Sequence, residues 1–292
     1  MSTIHKPVLL KEAVEGLGIK KNGTYIDATF GFGGHSKEIL ERIGGKGKLI
    51  GLEIDRKIYD KAKNIFKHNK SLSLYNSNFV NVGDTILSNG VSKVDGILFD
   101  LGVNLYQIKE SGKGFSFLRN ERLDMRLDQD QELDAEKIVN SYPKERLEEI
   151  FKNIDERKYY QIAKEIVSSR KKKRIRTTYD LVEVVERVKK RRGRINPATK
   201  VFMALRMEVN NETENLKKAL RNSLKILRDK GRMVVISFHS GEDRIVKRFF
   251  KEKSKEGILR IINKKVITPS YEETKENPLS RSAKMRVAEM IG

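Results

Sequence analysis

The chain has 292 residues, 38% hydrophobic and 35% charged, with a formal net charge of +21, enough apolar material for one large domain or two ordinary ones under a heavily charged surface. Cysteine is absent, which excludes disulfides and thiolate ligands, and the four histidines (His5, His35, His68, His239) form no i, i+4 pair, so no protein-bound metal is expected. No apolar run approaches the ~18 residues needed to cross a bilayer, and residues 1–10 carry no signal-type apolar block, so the reading is a cytoplasmic protein without a membrane partner.

Strand and helix patterns alternate through the first hundred residues. Thr24 to Phe30 reads as a buried strand ending in glycines, and Gly34 to Ile43 as a helix. Lys48 to Glu53 is a second strand, followed by a helix through Ala62 and Phe66. Ser71 to Tyr75 is a third, with a helix near Val82–Leu87. Val94 to Asp100 is a fourth, nearly continuous in apolar residues, as expected of a strand covered on both faces. Such units imply a parallel sheet with right-handed crossovers.

After Asp100 the rhythm breaks, and the next convincing strand is Arg232 to Phe238. A crossover needs only the helix that precedes it, roughly Glu212 to Leu227. The surplus contains helical patterns (Ala135–Asn140, Lys144–Phe151, Tyr159–Val167, Tyr179–Val188) and no clear strand. The expectation is an inserted α-helical domain over 108–210, with the sheet domain formed by 1–107 and 211–292. A helix from Asp243 to Lys253 then leads into two closing strands, Leu259–Ile267 and Ser282–Met290, separated by a polar loop from Pro269 to Pro278.

Charge follows the same division. Residues 1–100 carry 15 Lys/Arg against 11 Asp/Glu, a net of +4, so the remaining 192 residues carry +17. Residues 170–200 hold 13 Lys/Arg and three acids, a net of +10. A basic block of this kind attracts a phosphate backbone whatever the base sequence, although a solvated Lys-rich surface has the same composition.

The stretch from Asp27 to His35, with Gly31, Gly33 and Gly34, follows the first strand and opens the first predicted helix. Glycines there admit a ligand close to the backbone, and the helix N-terminus offers unpaired N–H groups. Glu53 lies 20 residues beyond Gly33 at the end of the second strand, where an acid accepts hydrogen bonds from the ribose hydroxyls of an adenosine cofactor. These features alone do not separate a nicotinamide cofactor from S-adenosylmethionine. The glycines depart from G-x-G-x-x-G, because position 36 is Ser, and the closing strands are similar to those of class I methyltransferases; both points lean towards a methyl donor.

Further segments share one pattern. They are His5-Lys-Pro-Val-Leu-Leu, Asp27 to Ser36, Asp100-Leu-Gly-Val103, Gly114-Phe-Ser-Phe117, Leu123-Asp-Met-Arg126, Asn196-Pro-Ala-Thr199, Ala204-Leu-Arg206, Phe238 to Lys247 and Asn277 to Lys284. By these stretches the chain resembles the bacterial 16S ribosomal RNA cytosine-N4 methyltransferases over nearly its whole length. The resemblance implies an α/β fold, a class I methyltransferase (Rossmann-like) mostly parallel sheet with an inserted α-helical domain. It implies S-adenosylmethionine as cofactor, 16S rRNA within the small ribosomal subunit as partner, and the N4 amino group of a decoding-centre (P-site) cytidine as target. Cofactor residues carry over to Gly33, Gly34, His35, Glu53, Phe79, Asp100 and Gln107. Local departures are Asn104-Leu-Tyr106 before Gln107, Lys113 in place of arginine, Gly241 in place of leucine and Leu279 in place of arginine.

Asp100 is the expected catalytic residue, holding the target amino group, the cofactor, or both in turn; the alternative is a strand-end aspartate capping the next turn. Phe79 either covers the adenine face or belongs to the core. His35 is expected to position cofactor through its backbone. His239 either contacts the flipped base or its phosphate, or makes a structural hydrogen bond with Glu242 or Asp243. Asp124 and Arg126 line the base pocket or clamp the insert. Lys171–Arg174 and Lys189–Arg194, among them Lys172, Arg174, Arg191 and Arg192, are the candidates for RNA phosphates. The rival classes are a non-catalytic ribosome-assembly factor, a nicotinamide oxidoreductase and a DNA amino-methyltransferase.

Overall fold

The computed structural model describes residues 7–190 and 196–292. Its elements run α1 (Leu10–Leu17), β1 (Thr24–Asp27), α2 (Gly34–Ile43), β2 (Lys48–Glu53), α3 (Arg56–Ile65), β3 (Leu72–Asn76), α4 (Val82–Leu87) and β4 (Val94–Asp100). Six helices follow: α5 (Leu105–Lys109), α6 (Ala135–Ser141), α7 (Lys144–Asn153), α8 (Tyr159–Lys172), α9 (Thr178–Val188) and α10 (Thr199–Val209). The chain continues with α11 (Glu212–Ile226), β5 (Leu227–Ser237), α12 (Ser240–Lys255), β6 (Leu259–Ile261), α13 (Tyr271–Glu276) and β7 (Lys284–Met290). Two compact units result, one of residues up to Gly102 together with Thr213–Gly292, the other Val103–Glu212.

The first unit is built on one seven-stranded sheet in the order β3-β2-β1-β4-β5-β7-β6. The pairs β3–β2, β2–β1, β1–β4 and β4–β5 are parallel, whereas β7 runs antiparallel to both β5 and β6. Alternation along the central strands sends successive side chains to two separate cores. Ile97, Phe99, Met233 and Val235 pack with residues of α4, α11 and α12 on one face. Leu98, Val234 and Ile236 pack with residues of α1 and α2 on the other. This is the α/β, mostly parallel sheet expected above.

Two expectations for the closing segment are corrected. The strand from Leu259 stops at Ile261, with Ile267 making only an isolated bridge to Met285. Asn263 explains the stop: its side chain accepts from Val287 N–H and donates to the Met285 carbonyl, taking the place of a backbone rung. The segment read as a polar loop contains α13, whose N-cap Ser270 accepts from Glu273 N–H, with Glu272 and Glu273 suited to the positive end of the helix. Helix α1 was not anticipated. Its entry residue Leu9 lies in the left-handed region (φ 52°), and the Leu9 N–H donates to Glu273 Oε1 of α13 at 2.8 Å.

The second unit packs α6 to α10 around Leu123 and Met125 in a core of its own. Arg191 and Arg192 lie outside the described residues.

Candidate active site

Parallel strands deliver their last residues to one edge, and here three of those residues are acidic. Asp27 ends β1, Glu53 ends β2 and Asp100 ends β4. Asp27 accepts from Ser36 Oγ at 2.6 Å and from Thr29 N–H at 3.2 Å. Thr29 Oγ1 in turn accepts from Asp100 N–H at 2.7 Å, so the β1–α2 turn fixes the end of β4. Glu53 accepts from Gly31 N–H at 2.9 Å and from Asp55 N–H at 2.8 Å, tying the glycine turn to β2.

The turn needs its glycines for different reasons. Gly33 has φ +79°, and a Cβ there would strike the Phe66 ring at 2.4 Å. Gly31 has φ +55°, and a Cβ would meet nothing nearer than the Thr29 carbonyl at 4.0 Å, so its outer side is open. Helix α2 starts at Gly34 with no side-chain cap, leaving its first N–H groups for a ligand.

His35 is buried, and its Nε2 lies 2.9 Å from the Val8 carbonyl. Burial pushes its pKa down to about 4, against the opposing pull of that carbonyl, so the ring is neutral. Nε2 must carry the proton it donates, which leaves the Nδ1 lone pair 3.7 Å from Asp100 Oδ2. Asp100 Oδ1 is buried and, among the described residues, has no hydrogen-bond partner. An unsatisfied acceptor in such a place is costly unless a ligand completes it.

The edge is electrically one-sided. Burial raises the pKa of Glu53 to about 7 and that of Asp27 to about 6. Asp100 is held well above the usual carboxylate range, first by burial and then by the charges of Asp27 and Glu242. Among the described residues no Lys or Arg pairs with Asp27, Glu53 or Asp100. A cationic ligand with hydroxyl and amide donors fits this set.

The profile of the MraW methylase family matches residues 2–291. The chain belongs to the MraW methylase family. The ribosomal RNA small subunit methyltransferase H of Caldicellulosiruptor saccharolyticus is 42% identical to it over 304 residues, covering 98% of this chain and 99% of that protein. The protein of the same name from Clostridium botulinum (strain Loch Maree) is 42% identical over 305 residues, with the same coverage, 98% and 99%. Among solved structures, an rRNA methylase from Streptococcus thermophilus aligns over 97% of this chain and 94% of its own at 8% identity, with a TM-score of 0.45. A MraW methylase is a methyltransferase, and S-adenosylmethionine is its methyl donor. The donor's sulfonium and ammonium charges suit the uncompensated carboxylates of this edge.

The first unit thus gathers Gly33, Gly34, His35, Glu53 and Asp100 at one sheet edge. Phe79 follows β3 on the same side, half-buried and edge-on to Phe99, with ring centroids 6.0 Å apart. His239 caps α12: its Nδ1 accepts from the N–H groups of Gly241 and Glu242, and Glu242 reciprocates at the His239 N–H. That is the structural hydrogen bond with Glu242, although Nε2 is still buried without an aligned partner.

The second unit holds the other candidates. Gln107 is buried and forms a reciprocal capping box with Asn104, its Oε1 accepting from Asn104 N–H at 3.0 Å. The Asn104 departure therefore preserves the start of α5. Asp124 and Arg126 face each other in a two-pronged ion pair, and Arg126 also donates to the Gln131 carbonyl at 2.8 Å. Their hydrogen bonds hold the 124–131 turn. Lys172 is exposed, whereas Arg174 pairs with Glu136 at 2.7 Å. Asp27, Thr29 and Ser36, the braces of the site, were not singled out beforehand, although all three lie in the quoted motif.

Proposed function

We propose that this MraW methylase transfers a methyl group from S-adenosylmethionine to the N4 amino group of a decoding-centre (P-site) cytidine in 16S rRNA. The observation that carries the reading is Asp100 Oδ1, a buried acceptor with no partner at the end of β4. The target atom and base rest on the resemblance of the sequence motifs, and the names of the relatives support the small-subunit rRNA as substrate.

S-adenosylmethionine supplies a methyl group made electrophilic by its sulfonium. The cytosine amino nitrogen is a weak nucleophile, because its lone pair is delocalised into the ring. Asp100 offsets this by accepting an amino N–H at Oδ1, orienting the nitrogen and stabilising the positive charge that develops on it. As the N–C bond forms, that nitrogen must lose a proton, and the raised proton affinity of Asp100 suits it to receive it. Glu53 holds the ribose while it anchors Gly31. Phe79 covers the adenine, and the free N–H groups of α2 meet the donor's carboxylate. The base leaves its stack to reach this edge, and the helical unit, a basic RNA-binding domain, holds the flanking phosphates through Lys171 and Lys172.

The test is transfer of labelled methyl from S-adenosylmethionine to small subunits lacking the modification, followed by nucleoside analysis. The expected product is N4-methylcytidine, reduced at least about a hundredfold by Asp100→Ala with cofactor-free folding unchanged. Cofactor binding without any transfer would favour the assembly-factor reading instead.

A further inference from the structure

A groove lies on the outer side of the sheet unit, away from the strand-end carboxylates. Its walls are two helical stripes. On α11 they are Lys217, Leu220 and Arg221, at i, i+3 and i+4; on α12, Ile245, Arg248, Phe249, Glu252 and Lys253, again at three- and four-residue spacing. The cavity between them measures about 250 Å³. Its floor is apolar, with Leu220 buried and Ile245 and Phe249 half-buried against the sheet core.

The rim carries four cations, which differ in what they already hold. Lys217 pairs with Glu214 at 2.7 Å, and Lys253 with Glu256 at 2.7 Å. Arg221 and Arg248 are exposed, and among the described residues neither has an ion-pair partner. Helix α12 starts one residue after His239, and at 1.5 Å per residue Arg248 stands about 12 Å along it from the carboxyl edge of β5. Two exposed arginines flank Phe249, which lies half-buried in the floor of the groove. This is the combination that single-stranded nucleic acid uses, with bases stacked on an aromatic ring and phosphates met by guanidinium groups.

We propose that the groove between α11 and α12 binds a single-stranded segment of the RNA substrate, with a base against Phe249 and phosphates on Arg221 and Arg248. The proposal rests on the RNA substrate read above and adds a second contact surface to it, carried by the sheet unit. A strand held here keeps register with the strand-end site through a rigid helix.

The test uses the full chain and a fluorescein-labelled single-stranded RNA of about 16 nucleotides around the target cytidine, with anisotropy read across a salt series. In the double variant Arg221→Glu/Arg248→Glu the affinity should fall about tenfold or more, and the slope of log K against log salt should become shallower by about 1.4, two phosphates at roughly 0.7 each. Calorimetric binding of S-adenosylmethionine should not change. Photo-crosslinking of 5-iodouridine RNA to the unaltered protein should label Phe249. If affinity and slope match wild type while Lys171→Glu/Lys172→Glu loses binding, the RNA reading stands and the groove proposal is overturned. Loss of binding to assembled subunits with free-RNA binding unchanged would assign the groove to a protein partner and also overturn it. If the unaltered protein binds neither RNA nor subunits, the proposed function itself fails.

Discussion

The strand-end cluster and the basic stretch along α8 and α9 treat charge in opposite ways. At the sheet edge Asp27, Glu53 and Asp100 stand together, the first two buried and Asp100 partly so, and among the described residues no basic side chain is paired to any of them. Along 170–190 the cations are numerous but largely engaged: Lys173 with Asp180, Arg174 with Glu136, Arg187 with Glu165 and Glu183, Lys189 with Glu156. Arg170 donates to the carbonyls of Val139 and Tyr142. A count of charges therefore overstates one region and understates the other. What attracts a partner is charge left over after internal pairing, and in the basic stretch that means Lys171, Lys172 and their like.

The largest effect that would sharpen this contrast is on the cofactor. Glu53→Ala removes the anchor of Gly31 together with a ribose acceptor, and calorimetry should show S-adenosylmethionine affinity falling by about 10–100-fold. A change below about twofold would mean that the carboxylate serves only the turn. Next in size is pH. The carboxylates at the edge hold protons more tightly than usual, and a cationic ligand favours their ionised forms. Binding should therefore release protons, and affinity should rise by up to about tenfold between pH 6 and 8, as the Glu53 group with its pKa near 7 ionises. Flat affinity with no proton release in buffers of different ionisation enthalpy would break the contrast. The smallest effect concerns RNA. Lys171→Glu/Lys172→Glu should weaken binding about fivefold, whereas Arg174→Gln should change it less than twofold, because that side chain is already held by Glu136. Equal losses would show that internal pairing does not decide which cations reach RNA.

The central sheet was readable because buried parallel strands are short apolar runs punctuated by glycine. β2, α2, α4 and β4 fall on the residues their patterns mark. The position of β7 between β5 and β6 was not readable, since neighbour order in a sheet leaves no local trace. Nor was the early stop of β6, because it depends on Asn263 meeting a strand some twenty residues further on. Helices α1 and α13 did leave signals, Ala13-Val14-Leu17 at helical spacing and Ser270-x-x-Glu273 as a cap. Both are short; the Leu9 N–H donates to Glu273 across them, and α1 is held besides by Ala13, Val14 and Leu17 in the sheet core.

The acids of the site were legible one at a time. Asp100 and Glu53 stand at strand ends, where an open α/β sheet binds ligands. Their mutual repulsion and the lone pair that His35 turns towards Asp100 depend on strands 70 residues apart meeting at one edge, which only the fold supplies. Pairing in the basic stretch was hidden for the same reason: Arg174 and Glu136 are 38 residues apart.

The place of β7 also bears on the order of assembly. β6 is made before β7 yet, among the described residues, has no neighbour in the sheet other than β7. The five parallel strands can zip together without either of them, from β3 through to β5. Until β7 arrives, β5 remains an open edge and the β6 segment has nowhere to lie. One antiparallel strand therefore both covers the rungs of β5 and gives β6 its partner, so that the short β6, rather than the long β5, is left at that edge of the sheet.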